Sequence, residues 1–487
     1  MTVVVRVALC FTALFLLVCC ASPRETAESL SSADNRPNIL LIAVDDLNTA
    51  VGAWGGEAIT PNIDHLAAQG VQFLNAYTAV PVCNPSRVAV MTGLRPEMTG
   101  VYSDSVNFRT RAGGASRVTI PQFFRQQGYQ TAAAGKVFHQ ARGRGVIPAP
   151  MSDPISWDQQ AETSAGIPGL SAYLDDEGWA GWLAGESRGG GLEIDSHLRR
   201  NGVWGPIEQS DEDTSDFASA NYCADYLSQA HLRPFVLACG ISRPRLPLLA
   251  PKKYFDLYPL AGVRLPKTPA KDMEDIPDSA KTNWTSGFAR AINQRPDEWR
   301  RARQGYLASV SFADAMVGHI LRALKESTYA NNTIVVFWSD DGFHLGEKDR
   351  WGKFSLWRQS THVPMVIVAP GIAPAKVRAA VSLLDIYPTL AELSGNEAPE
   401  GLAGRSLYTL VKQPDTRDWP HPAVVSLGRG NSAVIFGDWH LIQYADGGQE
   451  LYNYVNDPEE YTNLINNPLY SELAEAMEKW VPGLDSP

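Results

Sequence analysis

Two apolar runs in this sequence end in the same acidic pair. Asn38 to Val44, NILLIAV, leads into Asp45-Asp46, and Thr333 to Ser339, TIVVFWS, leads into Asp340-Asp341. Both runs are rich in β-branched residues and read as buried parallel strands. In an open parallel sheet, ligands collect beyond the carboxyl ends of the strands. Four carboxylates gathered there repel one another unless a cation lies between them. Hard divalent ions take several oxygen ligands, so Asp45, Asp46, Asp340 and Asp341 predict one calcium or magnesium site. A single Asp after a strand is more often a turn or cap residue. Two pairs, each behind a buried strand, shift the reading to metal.

The segment Cys83-Asn84-Pro85-Ser86-Arg87-Val88-Ala89-Val90-Met91-Thr92-Gly93 carries a second kind of chemistry. Pro85 suits the first turn of a helix, which puts position 83 at a helix N-terminus. That end offers partial positive charge and free N–H groups to an anionic transition state. Arg87, one turn on, can reach back to the same point. The chain has six cysteines, and three remain if an N-terminal leader is removed: Cys83, Cys223 and Cys239. This is not a disulfide scaffold. Whether Cys223 and Cys239 pair is open, and Cys83 is the odd one out.

At these residues the chain resembles the type I sulfatases, whose signature is Cys-x-Pro-Ser-Arg followed by Thr-Gly. It is most similar to the iduronate-2-sulfatase-like branch, through PNILLIAVDDL, TPNIDHLAAQGVQF, CNPSR, GKVFH, LGEK, THVP and ELYNYVNDPEEYTNL. The resemblance implies an alkaline-phosphatase-like fold, and it implies that a separate maturation enzyme oxidises Cys83 to formylglycine (3-oxoalanine). The hydrated aldehyde would attack sulfur with one hydroxyl. The other would then expel sulfate from the ester left on residue 83. By position, Asp45, Asp46, residue 83 and Asp340 match the family's metal ligands, and Asp341 can still give an oxygen to the same calcium site. Arg87 would hold the nucleophile, Lys136 and Lys353 would neutralise sulfate charge, and His139 would act as base. A sulfated carbohydrate is the implied substrate.

The pattern breaks in two places. The family has Asp-His-Gly or Asp-Asn-Gly where this chain has Asp340-Asp341-Gly342. Asp341 either adds a negative charge beside an anionic substrate or is protonated. In Gly240-Ile241-Ser242-Arg243-Pro244-Arg245, the branch has histidine where Arg245 stands. Arginine grips sulfate but is a poor proton donor, so leaving-group protonation falls to Lys353, His362, His344 or water. Arg243, Arg245 and His362 are candidate substrate contacts. Arg109, Arg111, Lys348, Arg350 and Arg358 are further candidates that surface salt pairs explain equally well.

The elements that must position these groups alternate. Further strands are expected at Pro234 to Gly240 and Pro364 to Ala369, with helices over Ser311 to Lys325 and around Leu384 to Leu390. Alternation of this kind gives an α/β fold with a mostly parallel sheet flanked by helices. Thr60-Pro61 reads as the N-cap and first residue of another helix. After Pro414, short strands at 424–427, 433–436 and 439–444, then 450–453 and a helix over 471–480, read as a smaller C-terminal α+β subdomain.

The expected organisation is a signal peptide over 1–20, a flexible tether over 21–36, a catalytic domain over 37–412 and the subdomain over 413–487. Arg6 followed by the apolar Val7 to Cys20 is too short for a usual span and fits a secretory signal. A short membrane anchor is the alternative. Leu16-Leu17-Val18-Cys19-Cys20 is a poor lipoprotein box. An exported protein is expected, whether periplasmic, an outer-membrane lipoprotein or secreted, with no transmembrane span in the mature chain. Net charge −11 and a pI near 5.4 argue against a nucleic-acid partner. Two competing readings are a phosphatase or phosphodiesterase of the same superfamily, and a catalytically weak sugar-binding homologue.

Overall fold

Asn38–Asp45 forms the first strand, β1, buried along its whole length. Its residues divide between two cores. Leu40, Ile42 and Val44 face one layer, and Ile39, Leu41 and Ala43 face the other. A strand covered on both faces needs apolar residues at every position, which is why the run does not alternate with polar residues. Each such aliphatic side chain contributes about 2 kcal/mol relative to exposure. The computed structural model describes residues 35–139, 152–161, 204–281, 289, 292–416 and 419–483. The expected leader and all but the last two residues of the tether lie outside them.

The other strands of the main sheet are β2 (Val71–Tyr77), β3 (Gln130–Gly135), β4 (Gln159–Gln160), β5 (Phe235–Pro244), β6 (Thr333–Ser339), β7 (His362–Val368) and β8 (Ala375–Ser382). Their order is β8-β2-β7-β6-β1-β5-β3-β4. Every pairing is parallel except the two made by β7, which runs antiparallel to β2 and β6. The chain thus has the expected α/β architecture with a mostly parallel sheet.

Helices cover both faces. On one side lie α1 (Pro61–Gln69), α3 (Ser215–Ser228) and the long α4 (Pro296–Glu326), contributing Ile63, Cys223, Val310 and Ile320 to the core. On the other lie α2 (Cys83–Thr92) and α5 (Ile386–Leu393), contributing Val88, Met91, Ile386 and Leu390. Thr60 takes the N-cap position and Pro61 opens α1 as expected, but the Thr60 side chain makes no capping bond; its Oγ1 donates to Asp64 Oδ1 and accepts from Gly52 N–H. α4 starts fifteen residues before the expected Ser311 (position 296 against 311), because its first turns are charged on their outer side. It is long and apolar enough to cross a membrane by length and composition, yet 72% of its most apolar window is buried in the core.

Residues 423–453 form a second, antiparallel sheet of β9 (Ala423–Ser426), β10 (Ser432–Phe436), β11 (Trp439–Gln443) and β12 (Gln449–Asn453), followed by α6 (Ser471–Glu478). One face packs on Ala474 and Met477 of α6. The other packs on Leu356, Trp357 and Tyr77, next to the ends of the main-sheet strands. Cys223 of α3 and Cys239 of β5 form a disulfide, which answers the open pairing.

Candidate active site

The register of the sheet brings the two acidic pairs together. β1 and β6 pair in parallel through Val44 and Ser339, so Asp45-Asp46 and Asp340-Asp341 emerge side by side. Asp46 has a φ of 61°, in the left-handed region that Asp tolerates better than most residues. Its N–H donates to Asp340 Oδ1 at 3.1 Å, and Asp341 N–H donates to the same oxygen at 3.1 Å. All four aspartates are buried.

Cys83 is the first residue of α2 and is wholly buried. The helix is placed by β2, which ends at Tyr77 a few residues earlier, and it stops at Gly93, whose φ is 67°. A Cβ there would stand 2.8 Å from the Leu402 side chain, so glycine serves both the turn and the packing. Cys83 Sγ lies 3.2 Å from Asp45 Oδ1 and 3.7 Å from Asp46 Oδ1. Two ammonium groups converge on the same sulfur. Lys136 Nζ is 3.3 Å away and also donates to Asp45 Oδ2. Lys353 Nζ donates to Cys83 Sγ and Asp46 Oδ1 and sits 3.1 Å from Asp341 Oδ2.

Arg87 braces this cluster from beneath. Its Nε donates to Asp340 Oδ2 at 2.7 Å, its Nη2 to Asp45 Oδ1 at 3.0 Å, and its Nη1 to the carbonyls of Lys136 and Val137. The guanidinium therefore ties three separate segments together, and these bonds go around residue 83 rather than to it. Arg245 adds a fourth cation, 3.8 Å from Asp45 Oδ2, with 27% of its side chain open to solvent.

The electrostatics follow from burial and these neighbours. Burial works against a charged Asp45, but Lys136, Arg87, Arg245 and Lys353 outweigh it and hold the carboxyl well below its usual range. Burial lifts Asp340 to about 7 in spite of Arg87, and burial, with Asp340 adding to the effect, also holds Asp341 well above the usual carboxylate range. Burial and then Asp45 push the Cys83 thiol up. Four carboxylates and four fixed cations cancel formally. Asp341 Oδ2 accepts no hydrogen bond, although Lys353 is near. Asp45, Asp46 and Cys83 offer ligand atoms within 4.8 Å of one another, and so do Cys83, Asp340 and Asp341. Several carboxylate oxygens gathered within this reach fit a hard divalent cation.

His139 and Asp104 form the opposite wall. With Cys83 they also offer ligand-type atoms within 4.8 Å of one another. Burial, then Lys136, lowers the His139 pKa to about 2, so the imidazole is neutral, and its buried Nδ1 has no hydrogen-bond partner. Asp104 accepts the Asn84 N–H at 2.9 Å, at the first turn of α2. Sequence reading missed Asp104, which stands in the polar stretch Ser103-Asp104-Ser105 without any periodic signal.

Other candidates stand apart. Arg243 Nε donates to Leu249 O at 2.9 Å. His362 is held between Leu74 O, 2.8 Å from Nε2, and Arg358 Nη2, 3.1 Å from Nδ1. His344 Nε2 pairs with Ser355 Oγ at 2.7 Å, and burial lowers its pKa to about 3. Arg109 grips Asp153 with two bonds of 2.7 and 2.8 Å, and Lys348 is paired with Asp272 at 2.6 Å.

An α/β sheet with a buried nucleophile position facing paired aspartates and converging cations defines a hydrolase of anionic esters. The chain belongs to the sulfatase family: residues 37–396 match that family, and residues 346–485 match the C-terminal family of N-sulphoglucosamine sulphohydrolase. It is 35% identical to a sulfatase of Formosa agariphila over 96% of this chain and 91% of that one. To the iduronate 2-sulfatase of Homo sapiens it is 32% identical, over 78% and 73%. Among solved structures, one in complex with its substrate D-glucosamine-2-N,6-O-disulfate superposes with a TM-score of 0.68, at 18% identity over 92% of this chain and 97% of that one. The chain is a sulfuric ester hydrolase of the type I family.

Proposed function

We propose that this protein is an exported, calcium-dependent sulfatase that removes sulfate from a sulfated carbohydrate, with a formylglycine made from Cys83 as nucleophile. The observation that carries the reading is the convergence of Lys136, Lys353, Asp45 and Asp46 on Cys83 Sγ at the start of α2. The sulfur marks where the hydrated aldehyde's oxygen would stand after maturation.

The chain's own residues then divide the work. One hydroxyl of the hydrate gives up its proton and forms a bond to sulfur as the bond from sulfur to the sugar oxygen breaks; Lys353 or water delivers a proton to that oxygen, and the sugar leaves as its alcohol. Lys136 and Lys353 hold the negative charge that spreads over the sulfuryl oxygens, in a site without bulk water where fixed charges act strongly. Arg245, partly open to solvent, grips the sulfate from the entrance and stays charged throughout. Neutral His139 takes the proton from the second hydroxyl; the bond between residue 83 and the ester oxygen breaks, sulfate leaves and the aldehyde returns. Asp45, Asp46, Asp340 and Asp341 would hold calcium, which supplies positive charge to oxygens of nucleophile and sulfate. Arg87 keeps the aspartates and the Lys136 backbone in register.

The carbohydrate class is supported by the substrate named for the superposed structure. The leader over 1–20, the tether over 21–36 and the boundary at 412/413 belong to the same reading, supported by sequence texture. The test is sulfate release from a panel of sulfated oligosaccharides, after co-expression with a formylglycine-generating enzyme, in calcium and in EDTA. Release in calcium that EDTA abolishes is expected. Fully matured enzyme that releases nothing across the panel contradicts the carbohydrate assignment.

A further inference from the structure

A second cleft of about 720 Å³ opens beside the loop after β1, away from the groups that touch Cys83. Its wall includes Trp54, Gly55, Glu57, Arg303, Gln359 and Glu459. Trp54 is fixed there, because its Nε1 donates to Phe73 O at 3.2 Å. Gly55 has a φ of 83°, and no atom lies within 4 Å of where its Cβ would stand. Trp54 is half-buried: it packs against the main core and lines the cleft with the part left exposed.

The polar groups of the cleft have capacity left over. Arg303 gives Nε and Nη2 to Glu57, while its buried Nη1 makes no hydrogen bond and has only Glu347 at 3.8 Å. Gln359 reaches Glu459 with Nε2 at 3.3 Å, and its buried Oε1 accepts nothing. Both atoms are shielded from solvent, so a ligand with matching hydroxyls recovers the cost of leaving them unpaired when the two side chains turn toward it. Three arginines (264, 303 and 358) and three glutamates (57, 347 and 459) line the cleft, so their formal charges cancel. A cleft without net charge does not select an anion. Its planar guanidinium, carboxylate and amide groups match the vicinal hydroxyls of a sugar, and the indole matches the C–H face of a pyranose ring.

From this we infer that the cleft binds an uncharged sugar residue of a glycan, stacked on Trp54 and hydrogen-bonded by Arg303 and Gln359. The inference deepens the carbohydrate reading and rests on it. Such a site holds an unsulfated part of a long chain while another part occupies the catalytic pocket.

The test uses the full-length calcium-loaded enzyme with neutral hexasaccharides of the cello, xylo and agaro series, followed by calorimetry and saturation-transfer NMR. At least one should bind. Trp54→Ala should weaken it by about tenfold or more, and Gln359→Leu by about threefold. Turnover of a small aryl sulfate should stay unchanged in both. Failure of all three series to bind, or equal binding by native protein and a folded variant, overturns the inference. If Trp54→Ala does not fold, Gln359→Leu decides alone. Aryl sulfate turnover by the native enzyme reports separately: its absence counts against the sulfatase reading, whereas turnover without hexasaccharide binding counts against the cleft alone.

Discussion

Two of the buried charged networks among the described residues are built differently. Under the second sheet, Glu450 accepts from Tyr444 Oη at 2.6 Å, from Trp357 Nε1 at 2.9 Å and from Tyr452 Oη. Glu460 accepts from His440 Nδ1 at 2.5 Å and from Arg358 N–H at 3.0 Å. Each carboxylate oxygen there has a donor of its own. Around Cys83, by contrast, Lys136 and Lys353 share one sulfur, Asp341 Oδ2 accepts no hydrogen bond, and His139 Nδ1 has no partner. Burial of charge alone therefore does not mark an active site. Convergence of cations on a nucleophile does, whereas an unpaired ring nitrogen does not, since His440 Nε2 of the structural network has no partner either.

That contrast sets the scale of what mutations should do. On the proposed mechanism Cys83→Ala removes the nucleophile, and sulfate release should fall by about 10⁴-fold or more with little change in melting temperature. Lys353→Ala and Lys136→Ala should each lower kcat by about 10²- to 10³-fold, as measured by steady-state kinetics on one substrate. A loss in KM alone would mean that these lysines only bind.

Calcium removal should act on both activity and stability. At a calcium concentration about 100 times Kd, the bound ion adds about 2.7 kcal/mol, visible as a higher Tm. Burial raises Asp340 to about 7 and raises Asp341 as well, so the metal-free site holds protons near neutrality that a bound calcium would displace. Affinity should rise as pH rises through about 7. A calcium affinity independent of pH over roughly 6 to 8 would contradict this account of the aspartates.

The smallest expected effects lie in the structural network. Glu450→Gln should cost about 1–3 kcal/mol in denaturant unfolding and leave maturation of residue 83 intact. At Glu460, burial raises the pKa, but His440 and Arg358 outweigh it, so the folded value is depressed. A depressed carboxyl stabilises the fold above the ordinary carboxylate range and loses that contribution as pH falls. His440→Ala should therefore flatten the acid limb of the Tm-against-pH curve.

Much of the candidate cluster around Cys83 was legible in the sequence because chain direction did the work. Two buried strands running in parallel must deliver their next residues to the same edge, so the spelling Asp-Asp after each run sufficed for four residues. Helix punctuation at Pro85 placed Cys83 in the same way. Spacing does not carry partner choice. Lys348 and Lys353 sit five positions apart in one loop, yet one is spent on Asp272 and the other meets Cys83. Arg87 likewise reads as a group aimed at residue 83 and instead clamps Asp45, Asp340 and two carbonyls. Nor does a buried strand reveal its direction, since β7 is as apolar as its parallel neighbours and runs the other way. Asp104 was invisible for a different reason, since a lone acid in a polar loop has no pattern until α2 is folded against it.

The central claim is that residue 83 works as an aldehyde. Co-expression with a formylglycine-generating enzyme, then mass spectrometry of the peptide spanning Cys83, tests it most directly. The account predicts an aldehyde mass that a carbonyl-reactive hydrazide captures, in the same sample that releases sulfate. A residue 83 that remains a thiol while sulfate release proceeds at full rate would contradict it.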